Sequence, residues 1–323
     1  MNLDRMRCGG GRALLLLAAS LVAAPVLAQD AEQWLQRMQQ ALRERDYVGT
    51  FVYGDGTRLE TMRVFHRVDG DGEHERLVAL SGEPAEIVRS GSRVTCVGNH
   101  PVARSYPGAG GQPVLPGVPD LQPGALAHYR LELGAESRIA NRPARQIEVR
   151  AGDAFRYGYR LWLDTETALL LKSVRMGPDG VVVEQLMFTE LEPGRTPTDA
   201  ELDLDPATRA TATTVTVPST PESGPDATPR WRVLDPPPGF RLSQVRRSLR
   251  EGSAEHQLFS DGIAHVSVYV EPAGGAAEPS FSASEGAMSV YARRLDGHRV
   301  HVVGDVPLLT VQRFAQGLQL DGG

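Results

Sequence analysis

The sequence predicts an α+β chain, mostly antiparallel β, built as two sheet-forming units joined by a low-complexity segment. Three observations predict it. From Tyr47 to Leu191 apolar residues recur with a period of two, interrupted by Asp-Gly, Gly-Asp and Ser-Gly turns. Helical spacing is confined to one stretch before this run and one at the end of the chain. Between Leu191 and Trp231 there is no aromatic residue, and "TRATATTVTVPSTPESGPDATPR" can bury little.

Taken in chain order, "MNLDRMRCGGGR" carries three arginines, "ALLLLAASLVAAPVL" is apolar, and Val26-Leu27-Ala28 offers a small-residue cleavage site. That is the pattern of a secretory signal peptide over residues 1–28. Its removal takes away three arginines and one aspartate, so the formal charge falls from −6 to −8. An acidic chain without a dense basic tract is a poor partner for nucleic acid. Only Cys96 remains after processing, so no intrachain disulfide forms and stability rests on packing.

A first helix follows. Asp30 is placed to cap it with Gln33 three residues on, and Trp34, Leu35, Met38, Ala41 and Leu42 give it one apolar face. The period then changes to two. Strands are expected in "YVGTFVY", "RLETMRVFHRV", "ERLVAL", "AEIVRSGSRVTCV", "AHYRLEL", "ARQIEVR", "YGYRLWLD", "ALLLKSVRM" and "GVVVEQLMFTEL". An antiparallel meander of this length must curl or close. Residues 107–126, rich in Gly and Pro, are expected to form a long loop of the kind that serves as a lid or binding segment. The first unit is placed at 29–202, a linker at 203–229, and the second unit at 230–323. There "GFRLSQVRRSL", "EHQLFS", "IAHVSVYVEP", "MSVYARRL" and "HRVHVVG" read as strands, with hairpin signals at Asp261-Gly262 and Asp296-Gly297. "PLLTVQRFAQGL" closes the chain as a helix whose stripe is Val311, Phe314, Ala315 and Leu318.

No reacting constellation stands out. There is no G-x-S-x-G elbow, no H-E-x-x-H, no paired C-x-x-C and no phosphate-binding G-x-x-x-x-G-K-[ST]. "DGDGEHE" at 69–75 has His74 where a calcium loop requires Gly, so it reads as a hairpin turn. His298 and His301 are three apart on a strand and face opposite ways. The sequence calls for no metal, no cofactor and no enzyme activity.

Two features point to binding. Phe51, Met62, Phe65, Trp162 and Met187 lie on meander strands and could line a cavity for acyl chains; a plain filled core is the competing reading. Arg230, Arg232, Arg241, Arg246, Arg247 and Arg250 form a basic cluster, with a solvated strand face as its competing reading. "FSDGIAHVSVYVEP" alternates, so that Ala264, Val266, Val268 and Val270 form a core face and Ile263, His265 and Tyr269 point outward. Arg241, Arg246, Arg247, Ile263, His265 and Tyr269 are therefore the candidate partner-binding residues.

Residues 47–96, the stretch "YGYRLWLDTETALLLKSVRMGPDGVVVEQLMFTEL", and the later "FSDGIAHVSVYVEP" and "VHVVGDVPLLTVQRFAQGL" resemble, in order, the RseB/MucB family of periplasmic sigma-factor regulators. The resemblance implies a first domain similar to the lipoprotein carrier LolA, a half-open barrel around a helical plug, and a small sheet-and-helix domain. It implies a periplasmic negative regulator of the envelope stress response. Such a protein binds the periplasmic region of an anti-sigma factor of the RseA/MucA type and shields it from proteolysis. Lipopolysaccharide, lipid A or mislocalised lipoprotein acyl chains would release it. A periplasmic lipid or lipoprotein carrier is the alternative, although a shuttle needs only the cavity and not the second domain. A homodimer is left open.

Overall fold

The computed structural model describes residues 23–56, 58–91, 93–98, 115–119, 125–205, 213–216, 228–248, 254–274 and 279–320. The leader up to residue 22, most of the expected loop at 107–126 and Arg250 lie outside the described residues.

Helix α1 (Ala23–Glu44) leads into β1 (Tyr47–Gly54), β2 (Leu59–Asp69), β3 (Gly72–Ala79), β4 (Glu86–Ser90) and β5 (Arg93–Val97). After them come β6 (Tyr129–Ile139), β7 (Arg142–Ala151), β8 (Gly158–Asp164), β9 (Leu170–Met176), β10 (Val182–Pro193), the short α2 (Asp199–Leu202) and β11 (Thr213–Thr216). These eleven strands make one sheet in the order β11-β5-β4-β3-β2-β1-β10-β9-β8-β7-β6. Its end strands do not pair with each other, so it curls into a half-open barrel. α1 plugs it, packing on β6 and β7. Leu35, Met38, Ala41 and Leu42 from the helix meet Phe51, Leu77, Ile147, Leu161 and Phe188 in one apolar core. The helix starts at Ala23, upstream of Asp30, so Asp30 is an interior residue and not the expected cap. Part of the expected linker is also structured. β11 pairs with the edge strand β5, because its β-branched Thr-Thr-Val-Thr run suits a strand and covers an open edge.

The remainder folds as β12 (Trp231–Val233), β13 (Arg241–Ser248), β14 (Ala254–Ser260), β15 (His265–Pro272), β16 (Phe281–Glu285), β17 (Met288–Leu295), β18 (His298–Gly304), α3 (Leu308–Gly317) and β19 (Leu318–Leu320). Six of these form an antiparallel sheet, β13-β14-β15-β18-β17-β16, while β12 pairs with β19. As the alternation predicts, Ala264, Val266, Val268 and Val270 are buried beneath Val311, Phe314 and Ala315 of α3. Asp296 and Gly297 both adopt positive φ, 46° and 74°, the mirror-image turn that matches the twist of the strands it joins.

Buried charges tie the two halves together. The Arg156 guanidinium is fully buried, 3.5 Å from Asp261 and 3.3 Å from Asp153, and donates to the Pro238 carbonyl. It stacks over Phe240 and Tyr129. Arg175 pairs with Glu184 at 3.1 Å on its own half and approaches Asp305 of the other half at 3.7 Å. Asp305 accepts the His265 backbone N–H at 2.9 Å, and Glu184 accepts the Tyr53 hydroxyl. Burial raises the Asp305 carboxyl, against the pull of Arg175 and His265. Backbone approach is equally close. A Cβ on Gly262, whose φ is +96°, would lie 2.7 Å from the Ala125 Cβ.

A second buried ion network lies inside the large sheet. Tyr47, His66, Glu75 and Arg89 stand opposite one another across β1 to β4. His66 Nδ1–H donates to the Arg45 carbonyl at 2.7 Å, and Nε2 lies 3.1 Å from Glu73. Arg89 pairs with both Glu73 and Glu75. Burial alone would lower the His66 pKa, but the Glu73 hydrogen bond, the Glu75 charge and the Arg45 carbonyl overcome it, and the pKa is raised. A raised folded value means that the stabilisation is fully present below the unfolded value near 6.5 and is lost as pH rises through the folded value. The stability advantage of the native protein over His66→Gln should therefore be largest below about pH 6.5 and shrink as pH rises above it, read by urea unfolding across a pH series. An advantage that grows with pH would contradict this assignment. At the junction, Arg175→Met should cost about 3 kcal/mol in the same assay, because it leaves buried Glu184 and half-buried Asp305 without their cation. A loss below about 1 kcal/mol would mean that the burial cost of the arginine cancels its attraction.

Candidate functional site

The small sheet has one face under α3. Its other face carries a row of residues that stand opposite one another across all six strands: Arg246, His256, Tyr269, His301, Ala292 and Phe281. The residues beside this row continue it. Gln244, Leu258, Ser267, Val303, Val290 and Ala283 form the next line, then Arg241, Ser260 and His265. The result is a broad surface, half apolar and half polar, with arginines at the β13 edge. Tyr269 is 38% exposed and Phe281 55%. The Tyr269 ring stacks on His256, with centroids 4.3 Å apart and planes 6° from parallel. His256 Nε2 lies 3.0 Å from the Ser267 hydroxyl. Burial and then the nearby Arg246 charge lower the His256 pKa, favouring a neutral ring on this face.

Of the six candidate partner-binding residues, Arg241, Arg246, His265 and Tyr269 share this face. Arg247 does not. It is the neighbour of Arg246, so it projects to the α3 side, and its Nε lies 3.3 Å from the buried Glu255. Glu255 also accepts the Arg230 and Trp231 backbone N–H groups. Ile263 is likewise not outward. It precedes β15, in a turn whose Ile263 and Ala264 N–H groups both donate to Asp261, and its side chain is buried in the core of the large sheet. Alternation read it as outward because the surface that covers it belongs to the other half of the chain. Val290, Ala292, Val303, Arg294 and Arg299 do not stand out in the sequence, and His301 does so only as half of a histidine pair, although the alternation in "MSVYARRL" and "HRVHVVG" carries them to this face.

The five residues expected to line an acyl cavity do not share one. Phe51 and Met62 face each other on the inner side of the large sheet, both buried in its core. Phe65 lies on the outer side with Val48, Val78 and Leu202, under α2. Met187 is 39% exposed and stands directly opposite Lys172, whose Nζ sits 4.8 Å from the Trp162 ring. Met62 and Phe65 are an odd number of residues apart on one strand, and Met187 adjoins the inward Phe188, so strand parity separates them. Among the described residues, Leu35, Met38, Phe51, Leu77, Ile147, Leu161 and Phe188 pack together between α1 and the sheet. A cavity of about 240 Å³ opens instead at the flank of α1, lined by Asp30, Gln33, Trp34, Arg37, Leu133 and Arg145.

His66, Glu73 and Glu75 bring possible metal-ligand atoms within 4.8 Å of one another. Arg89 already pairs with both carboxylates there, so the cluster is an internal ion network. His298 packs edge-on against Trp231, on the side away from His301, so these two histidines do not converge.

The chain matches the MucB/RseB N-terminal domain over residues 30–207 and the MucB/RseB C-terminal domain over residues 225–319. It is 36% identical to the sigma factor AlgU regulatory protein MucB of Pseudomonas aeruginosa, over 95% of this chain and 96% of that protein. It is 26% identical to the sigma-E factor regulatory protein RseB of Haemophilus influenzae, over 94% and 95% respectively. The solved complex of Pseudomonas aeruginosa MucA and MucB superposes with a TM-score of 0.74 at 32% identity, covering 91% of this chain and all of that one. A crystal structure of MucB superposes at 0.65 with the same identity, covering 91% of this chain and 98% of that one. Two domain matches in order and relatives aligned over nearly their whole length place the chain in the MucB/RseB family of sigma-factor regulatory proteins.

Proposed function

We propose that this chain is a periplasmic regulator that grips the periplasmic segment of a membrane anti-sigma factor on the outer face of its small sheet. The observation that carries this reading is that face itself. It is broad, half apolar, ends in arginines and presents Tyr269, and among the described residues nothing lies over it. Tyrosine and arginine are the residue types that anchor interfaces, and the mixture suits an amphipathic acidic segment. The related MucB chains, seen in complex with MucA, support a partner of this kind. The leader pattern at residues 1–28 supports the compartment. Shielding from proteolysis follows from binding, since a flexible segment that orders on a surface is a poorer protease substrate than a free one.

Release by lipid is the second part of the proposal. The apolar face of α1 packs on the inner side of the sheet, so an acyl chain reaches that core by displacing α1. The cavity beside Trp34 supports that route, because it opens where the helix meets β6 and β7. At about 240 Å³ it is smaller than the roughly 300 Å³ at which small-molecule pockets begin, so binding must widen it.

The binding test is calorimetric titration of the anti-sigma periplasmic segment, with thermal melts in parallel. Tyr269→Ala should weaken binding by about 2 kcal/mol, roughly thirtyfold, with little change in melting. Arg241→Glu combined with Arg246→Glu should weaken it more at low salt than at high salt. Arg247 is left intact because it balances buried Glu255. Unchanged affinity in both variants would remove the face from consideration. For the lipid step, native mass spectrometry with added lipid A should show a bound adduct and hydrogen exchange should rise in α1. An adduct that leaves α1 exchange unchanged would place the lipid elsewhere.

A further inference from the structure

Resting on this partner reading, we propose that a notch on the far half of the same face takes an acidic residue and an adjacent apolar side chain of the bound segment. The notch measures about 180 Å³ and is lined by Phe281, Ala292, Arg293, Arg294, Arg299 and His301, with Pro279 at its edge. Its shape follows from register. Phe281, Ala292 and His301 are consecutive across β16, β17 and β18, so the small Ala292 forms a floor between two rings. The space is of side-chain size and falls below the roughly 300 Å³ range of small-molecule sites.

Charge selects what enters. Arg294 and Arg299 stand directly opposite each other on β17 and β18. Like charges directly opposite destabilise a sheet pair, and a carboxylate between two guanidinium forks turns that repulsion into attraction. Glu271 faces Arg299 from the other side, on β15, and offsets part of that charge.

The notch is continuous with the surface already described. Phe281 and Arg246 are the two ends of one row, five interstrand spacings or about 24 Å apart, which an extended segment of about seven residues spans. The bound segment then carries an acidic residue at each end and apolar residues between. One end meets Arg246 and the other meets Arg294 with Arg299.

The test titrates the anti-sigma periplasmic segment into the full mature chain. Ala292→Leu fills the notch and should weaken binding by about tenfold without changing the melt. Arg294→Glu with Arg299→Glu should weaken it comparably, and reversing one terminal acidic residue of the segment to Arg should restore binding to that variant alone. Should Ala292→Leu fail to fold, the half-buried pair Arg294→Gln with Arg299→Gln decides the matter. Undiminished affinity in these variants, while Tyr269→Ala still weakens binding, overturns the notch and leaves the partner reading standing. Absence of binding by the native chain overturns both.

Discussion

Two arginines held out of water at the junction of the sheets set the arrangement on which the rest of the molecule depends. Each draws counter-charges from both sides: Arg156 from Asp153 and Asp261, Arg175 from Glu184 and Asp305. Taking such groups out of water costs about as much as their mutual attraction returns, so the ion pairs add little net stability. What they impose is geometry. Any rotation of one sheet against the other strands a buried guanidinium away from its carboxylate, while full separation lets water solvate all of them. The seam therefore selects one close-packed orientation against slightly altered ones more strongly than it opposes complete opening.

Backbone contacts sharpen that selection. Gly262 meets Ala125, Gly239 meets His128, and Gly286 meets Asp55, each at a distance where a Cβ would force a neighbour to move. All three glycines have positive φ, so they serve both turn geometry and close approach. The small sheet is thus docked by its loops and strand ends. One face is covered by α3, its lower rim by the large sheet, and the outer face stays available. That availability is a consequence of where the loops of the small sheet touch the barrel.

Much of this was legible in the sequence because strand alternation is a local property. The burial of Val266, Val268 and Val270 and the helix stripe at Val311 and Phe314 follow from periods of two and 3.6. Strands without an apolar signature were missed. β16, "FSASE", is exposed at every position, and β12 and β19 are three residues each. The misassigned residues share a different cause. Ile263 is buried by a partner more than one hundred residues away in sequence, Leu115 and Ala125 among it, which no local pattern reports. Phe65, Trp162 and Met187 were grouped by composition, although parity within each strand already separates inward from outward positions. Arg246 and Arg247 show the same rule at its sharpest, since adjacent residues on one strand serve opposite faces.

Net charge conceals the surface that matters. The whole chain carries −6, which argues against polyanions and, taken alone, against an acidic peptide as well. The two effects act over different distances. At physiological ionic strength charges are screened beyond about 8 Å, so an approaching segment feels little of the overall negative charge. Within that distance it meets Arg241 and Arg246 at one end of the face and Arg294 and Arg299 at the other. Between them lie Leu258, Val303, Val290 and the Tyr269 ring, which contribute apolar area that salt does not screen. Recognition on such a face divides its labour: the arginines fix direction and register, and the apolar centre supplies most of the affinity.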